Sequence, residues 1–332
     1  MKQIQFHRTG NPAEVVECVD VGAPAISMPD EILVAVEVFP INPADLLTMQ
    51  GYYPRSDPGE PTLGVEALAV VEAVGSAVTE VAPGDRVILL TGDNWRERKV
   101  VKAHEVVRVS ATIGPLRLAS LKVNPATAML LLTHFVDLRP GEWFLQNGAN
   151  SAIGRAVIQI ARSRGIRTVN VVRRKEVAAE LERVGADIVL LDGDDLPARV
   201  AEATNGTAIR LAVDGVAGSA TNRLASCLAP NGTLVVYGAM SGEAAAVNPG
   251  LMVFQDIAMR GFWLTRYLAS ALRSDVLRLY ADLETMMERG QLVGVVDSVF
   301  AAEDIKAAVK QAGEAEGGGK VFVRFHLERS SA

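Results

Sequence analysis

The string NGANSAIG, residues 147–154, lies between an apolar run, WFLQN at 143–147, and an amphipathic one, AIGRAVIQIARSRG from residue 152. A Gly-rich turn between a strand and a helix directs backbone N–H groups from the helix N-terminus at a pyrophosphate. The G-x-G-x-x-G spacing is degenerate here, because Ala149 and Ser151 occupy its first two glycine positions and only Gly154 keeps the third. The string alone is a weak signal, and its context strengthens it. Asn150, Ser151, Ala152, Ile153 and Gly154 are the candidate pyrophosphate contacts. The next apolar run, TVNVV at 168–172, is followed by Arg173, Arg174 and Lys175. An NAD-selective site carries an acid at this place for the ribose 2′-OH. Guanidinium forks suit a 2′-phosphate instead, so NADPH is the expected cofactor and these three residues its selective contacts.

Other chemistry finds little support in the residue types. His7, His104, His134 and His326 are scattered, with neither metal-ligand spacing nor a nucleophile beside them. Cys18 and Cys227 are the only cysteines, too few for a disulfide framework or a four-cysteine zinc site, and are expected to be buried and inert. Thirty-three basic against thirty-nine acidic residues leave a net charge of −6, which disfavours a nucleic-acid partner. Arg162, Arg164 and Arg167 read as a solvated helix face. The N-terminus MKQIQFHRTG shows neither an apolar core nor an Arg/Ser-rich amphipathic leader, and no stretch of about 18 apolar residues occurs, so a cytoplasmic protein without a membrane span is expected.

The elements that must position these residues follow from periodicity. At 332 residues the chain exceeds the usual size of one core, which predicts two domains sharing a cleft. The first third reads as β: EILVAVEVFPI (31–41), LAVVEAVG (68–75) and DRVILL (85–90) are apolar, β-branched runs bounded by Gly, Pro and Asp. Pro83, Gly84 and Asp85 mark a turn and carry no chemistry. Short strands with tight turns suggest a partly open barrel. From about residue 120 short apolar strands alternate with amphipathic helices, the pattern of a doubly wound parallel sheet. Its strands are WFLQN, TVNVV, IVLLD (188–192), LAVD (211–214) and LVVYG (234–238), with a helix predicted through KEVAAELERVG. After Gly261 a helical stretch, SDVLRLYADLETMMERG, precedes a last strand, KVFVRF (320–325), expected to return to the N-terminal domain. GEAEGGGK (313–320) reads as a short flexible loop.

Long, distributed strings carry a resemblance: LGVEALAVVEAVGSAVTEVAPGDRV, INPADLLTMQGYY (41–53), VNPATA (123–128), LQNGANSAIGRAVIQIA (145–161), NVVRR (170–174), GTLVVYGAM (232–240) and RGFWLTRY (260–267). Nearly end to end, the chain resembles the medium-chain dehydrogenases/reductases, most of all their trans-2-enoyl-thioester reductases and next the quinone oxidoreductases. The resemblance implies an α/β fold: a GroES-like catalytic domain, a partly open β-barrel built from residues 1–119 and 270–332, and a Rossmann NADPH-binding domain over 120–269. It also implies a homodimer.

Zinc members of this superfamily carry a Gly-His-Glu ligand motif, and the matching triplet here is Gly64, Val65, Glu66. With the imidazole ligand gone and no four-cysteine lobe, no metal is expected, alcohol oxidation becomes unfavoured, and Glu66 reads as a structural or rim residue. Hydride delivery without a metal needs an acceptor whose developing charge can be spread and hydrogen-bonded, such as an enoyl thioester or a quinone. In enoyl-thioester reductases a QGNY-like string carries a tyrosine beside the nicotinamide, and Tyr53 in QGYY matches it as the candidate catalytic residue. By the same match Asn124 lies near the nicotinamide, while Tyr237, Gly238, Ala239 and Met240 line the cofactor. Phe262, Trp263 and Leu264 form its nicotinamide-side wall, and Lys320 corresponds to a C-terminal lysine reaching the cofactor. The chain departs from the pattern at Tyr52 and Pro54 around that tyrosine and in a shortened LTGDNW (90–95), and a bacterial-type cytoplasmic enzyme without a mitochondrial leader is expected. The leading expectation is reduction of a CoA- or carrier-linked 2-enoyl thioester. Quinone reduction is the alternative, and a non-catalytic NADPH-binding protein a third reading from another class.

Overall fold

The computed structural model describes residues 1–53, 63–314 and 319–326. Pro54 and residues 315–318 of the GEAEGGGK string therefore lie outside the described residues. The chain divides into two compact units, Met1–Val123 with Leu272–Ala332, and Asn124–Ala271.

The first unit opens with a hairpin of β1 (Lys2–Phe6) and β2 (Val16–Asp20), with α1 (Pro12–Val15) between them. Its longest strand is β3 (Glu31–Pro40), where Ile32, Val34, Val36 and Val38 alternate into the core as the period-2 pattern requires. Then come α2 (Pro43–Gln50), β4 (Leu68–Val74), β5 (Arg86–Leu89), β6 (Arg98–Lys102), β7 (Val106–Arg108) and α3 (Pro115–Ala119). The turn before β5 runs through Gly84 at φ +94°, a conformation open to glycine.

The second unit holds α4 (Asn124–Thr133), β8 (Trp143–Gln146), α5 (Ala152–Ser163), β9 (Arg167–Val172), α6 (Ala178–Val184), β10 (Ile188–Leu191), α7 (Leu196–Ala203), β11 (Ile209–Asp214), α8 (Ser219–Ala225), β12 (Thr233–Val236), α9 (Pro249–Gln255), β13 (Ala258–Gly261) and α10 (Leu264–Ser270). Its six-stranded sheet is parallel throughout, in the order β10-β9-β8-β11-β12-β13. Counted within the unit this is 3-2-1-4-5-6, the doubly wound Rossmann order, whose switch point lies beside β8, where a dinucleotide binds. Leu145, Val169, Val171, Ala212 and Leu234 fill its core, the leucines and valines each contributing on the order of 1.5–3 kcal/mol.

The chain then rejoins the first unit through α11 (Arg273–Glu288), β14 (Val296–Ala301), α12 (Ile305–Glu314) and β15 (Lys320–Arg324). β15 pairs antiparallel with β3, Phe322 opposite Pro40, and parallel with β14. The resulting sheet runs β14-β15-β3-β4-β5-β7, with β6 also on β3. The mixed α/β class expected from the sequence is thus the observed one.

Three local expectations are corrected. Arg167 is no helix residue: it opens β9, with its guanidinium 3.8 Å from the centre of the Trp143 ring. The segment after Arg174 starts as a 3-10 turn at Lys175–Val177 before α6 begins. Both cysteines are half-buried rather than buried; burial raises the Cys18 thiol and pushes that of Cys227 up to about 12, which keeps both protonated. Among the described residues no helix is long and apolar enough to cross a membrane.

Candidate active site

In the second unit the turn from β8 into α5 is built by three residues with separate tasks. Gly148 takes φ +57°, so the left-handed residue of the turn sits one place before Ala149, and a side chain at 149 is tolerated. Ser151 caps α5 by accepting from the Gly154 N–H at 3.1 Å. At Gly154 a Cβ would stand 2.5 Å from the Ala149 carbonyl oxygen, so the surviving glycine of the fingerprint is set by close packing of helix on turn. Asn150, Ser151 and Ile153 are half-buried and Ala152 is exposed, leaving the first turn of a twelve-residue helix open to an anion.

The segment after β12 abuts this turn. The Tyr237 hydroxyl is hydrogen-bonded to Ser151, and burial raises its pKa above the ordinary phenol value. It stands so close to Gly215 that a Cβ there would meet it at 2.7 Å. Gly238 packs on the Gly215 backbone, Met240 donates its N–H to the Gly215 carbonyl at 3.1 Å, and Ala239 and Met240 are exposed. Beneath them Asp214 Oδ1 accepts from Asn147 Nδ2 at 2.6 Å and from the Val216 and Ala217 N–H groups, while Oδ2 accepts from Thr221. That buried pair holds the loop after β11 with Ala217 at φ +65°, a strained setting for a residue with a Cβ. The sequence does not single out Asp214 and Asn147. Their one signal is an acid ending LAVD and an amide ending WFLQN at neighbouring strand ends.

Arg173, Arg174 and Lys175 lie exposed just past β9, whose Val171 carbonyl accepts from the Ala149 N–H. The structure thus brings Asn150–Gly154, Tyr237–Met240 and the basic trio to one end of the parallel sheet. Phe262 continues from β13 into an aromatic group with Phe135, His134 and Tyr267, ring centres 5.1–6.4 Å apart. Trp263 is exposed, Leu264 is buried, and Asn124 is buried at the start of α4.

Tyr53 and Lys320 belong to the first unit. α2 ends at Gly51 in the left-handed conformation, and the Tyr52 and Tyr53 N–H groups both donate to the Leu47 carbonyl, at 2.8 and 3.2 Å. Of the two adjacent tyrosines, Tyr52 is 80% exposed whereas Tyr53 is half-buried and engaged. Lys320 donates to Asn42 Oδ1 and lies 3.7 Å from Glu66 Oε1. Burial lowers the pKa of its ammonium, opposed by the charges of Glu66 and Asp45.

Around it is a buried polar cluster that the sequence does not announce. Asp45 Oδ1 accepts from the Gly64 and Val65 N–H groups and Oδ2 from the Asn42 N–H; burial pushes its carboxyl up to about 6. Lys122 Nζ donates to the Val65 and Thr91 carbonyls at 2.5 and 2.9 Å and is pushed down to about 7 by burial. Lys99 donates to Thr91 Oγ1, the Gly92 carbonyl and Asn94 Oδ1, and burial takes it to about 8. Both lysines return to 10.5 on unfolding, so above their folded values the unfolded chain binds protons that the folded one does not. Stability from this pair therefore rises with pH across that window and falls as pH drops from 10.5 toward 8 and 7. The expected result is a thermal midpoint higher at pH 9 than at pH 7 by roughly a few degrees, a rise that Lys122→Met reduces. Equal slopes for variant and wild type in differential scanning fluorimetry would contradict it.

These donors do not fit a zinc ion. Val65 offers no ligand atom from its side chain, both Glu66 oxygens are already in use, and the Lys320 and Lys122 ammonium groups lie where a dication would need anions. Among the described residues no group of three His, Cys, Asp or Glu side chains is placed to hold a metal.

Residues 28–113 match the alcohol dehydrogenase GroES-like domain family and residues 152–282 the zinc-binding dehydrogenase family. The mitochondrial enoyl-[acyl-carrier-protein] reductase of Caenorhabditis elegans is 35% identical over 300 residues, covering 88% of this chain and 86% of the relative. The chain belongs to this enoyl reductase family of the medium-chain dehydrogenases/reductases. Among solved structures, a Bacillus thuringiensis protein assigned as an NADPH:quinone reductase superposes on this family member with TM-score 0.90 at 31% identity, over 98% of this chain and 99% of the other. The Etr1p complex with NADP and crotonyl-CoA, from the Candida tropicalis 2-enoyl thioester reductase, gives TM-score 0.85 at 25% identity over 98% and 99%.

Proposed function

We propose that the protein uses NADPH to reduce the carbon–carbon double bond of a 2-enoyl thioester. One observation carries the reading: a dinucleotide turn followed by Arg173, Arg174 and Lys175 occurs in the same chain as a catalytic unit with Val65 at the zinc-ligand position. When bound, NADPH supplies the hydride that reaches the β-carbon. The chain's own residues do the rest. Asn150–Gly154 offer the helix N-terminus to the pyrophosphate, and Tyr237–Met240 pack over the turn. Phe262, Trp263, Leu264 and Asn124 wall the nicotinamide. Tyr53 donates a hydrogen bond or proton on the enolate side, as a phenol hydroxyl can. Lys320, paired to Glu66, offers its side-chain nitrogen as a donor on the cofactor side. Support comes from the relatives that act on enoyl thioesters.

Quinone reduction is the second reading, favoured by the Bacillus thuringiensis neighbour. NADPH oxidation followed against enoyl-CoAs, quinones and enals decides between them. Highest kcat/KM with an enoyl thioester is expected; turnover of quinones alone would contradict the proposal.

A cytoplasmic homodimer completes the reading. β13 is an edge strand with all four residues exposed, and Met252, Val253 and Phe254 of α9 are exposed beside it in sequence, Phe254 at 86%. An unpaired edge with apolar neighbours suits a second copy. Phe254→Asp is expected to weaken dimerisation by at least ~30-fold in analytical ultracentrifugation, the scale of an aromatic hot spot. A variant that sediments as the wild type does would count against this face.

A further inference from the structure

We infer that Glu66 is a positioning residue that ties together the three chain segments leading to Tyr53, Asn124 and Lys320. The inference rests on the function proposed above. Glu66 is fully buried, and each of its oxygens has a different task. Oε1 accepts from Asn42 Nδ2 at 2.9 Å, and Asn42 is the N-cap of α2, the helix whose last turn holds the Tyr53 N–H. Oε2 accepts from the Val123 N–H at 2.9 Å, and Val123 is the residue immediately before Asn124. The Lys320 ammonium lies 3.7 Å from Oε1 and donates to Oδ1 of the same Asn42, closing a triangle of carboxylate, amide and ammonium.

Two features set this residue apart from ordinary core polarity. A buried carboxylate needs its partners, and here Asn42, Val123 and Lys320 each lie on a segment that delivers a proposed site residue. The hydrogen bonds of the neighbouring charged groups go elsewhere: Asp45 accepts from three backbone N–H groups and Lys122 donates to two carbonyls, their coupling to Lys320 and Glu66 being through charge alone. Glu66 is therefore the side chain that joins α2, the segment ending at Val123, and β15. A glutamine at 66 has one acceptor oxygen for two donors, and its NH2 would face either the Asn42 amide or the Val123 N–H. It would also remove the first of the two carboxylate charges, Glu66 and Asp45, that favour the Lys320 ammonium. Sub-ångström misplacement of Tyr53 and Lys320 costs turnover, whereas the Arg173–Lys175 end of the cofactor site is untouched.

The test compares Glu66→Gln and Asn42→Ala with wild type, each normalised to folded protein by its cooperative melt. Three quantities are read: NADPH Kd by fluorescence titration, kcat with crotonyl-CoA, and hydrogen exchange of the Val123 amide. Glu66→Gln is expected to lose about 10–100-fold in kcat with NADPH Kd changed less than about threefold, and to exchange the Val123 amide faster. Asn42→Ala, which keeps the Val123 bond and cuts the tie to Lys320, is expected to lose kcat while Val123 stays protected. A kcat within about threefold of wild type in folded Glu66→Gln overturns the inference. If that variant does not fold, unchanged kcat in Asn42→Ala overturns it instead. A wild type inert toward enoyl thioesters contradicts the proposed substrate, and the same comparison is then made on the enone or quinone it reduces.

Discussion

Tyr53→Phe is expected to lower kcat for a crotonyl thioester by about 10²–10⁴-fold, the range assigned to a positioned general acid, with little change in NADPH affinity. The substitution removes one oxygen and leaves the ring, so the packing of a half-buried side chain is kept. Tyr52→Phe, at an exposed position one residue earlier, is expected to change little. The α2 terminus frames the contrast: Gly51 turns the chain, and both tyrosine amides are fixed on the Leu47 carbonyl while only Tyr53 is partly buried. Quinone turnover needs no α-carbon protonation, so it should survive Tyr53→Phe. Unchanged crotonyl-thioester kinetics in Tyr53→Phe would remove the tyrosine from the chemistry.

The second large effect concerns coenzyme choice. Reversing Arg173 and Arg174 to Glu is expected to weaken NADPH binding by about 10²–10⁴-fold, from two charge-assisted hydrogen bonds of roughly 1.5–3 kcal/mol each, while NADH binding holds or improves. Both side chains are exposed past the end of β9, so the fold should tolerate the change. The effect on NADPH should also be steeply salt-dependent, as expected for exposed charges. Parallel titrations of the two coenzymes provide the check. Equal losses for both would mean that the arginines serve the surface and not the 2′-phosphate.

How much of this is legible in sequence depends on how each element signals itself. β3 alternates cleanly, and β8, β9, β11 and β12 are short, doubly buried apolar runs, so periodicity locates them. β13 (AMRG) and β6 (RKVVK) do not stand out, because one is exposed on all four residues and the other is framed by charges. Their pairing is fixed by neighbours distant in sequence. The dinucleotide turn is readable through Gly154 and its context, although the left-handed position has moved to Gly148. The buried cluster of Asn42, Asp45, Glu66, Lys99 and Lys122 is not readable. Each residue looks like an ordinary surface polar group, and only the topology that returns β15 to β3 brings Lys320 against Asn42 and Glu66. Glu66 accordingly reads as a structural or rim residue from sequence alone, since nothing local shows that both its oxygens are engaged.

The most direct measurement follows a single hydrogen. The protein is supplied with crotonyl-CoA and NADPH deuterated at the transferable C4 position, and the saturated product is examined by mass spectrometry and NMR. One deuterium on the β-carbon, with a solvent proton on the α-carbon, is the predicted outcome. Deuterium absent from the product, while a quinone added in place of the thioester consumes the same NADPH, would contradict the assignment.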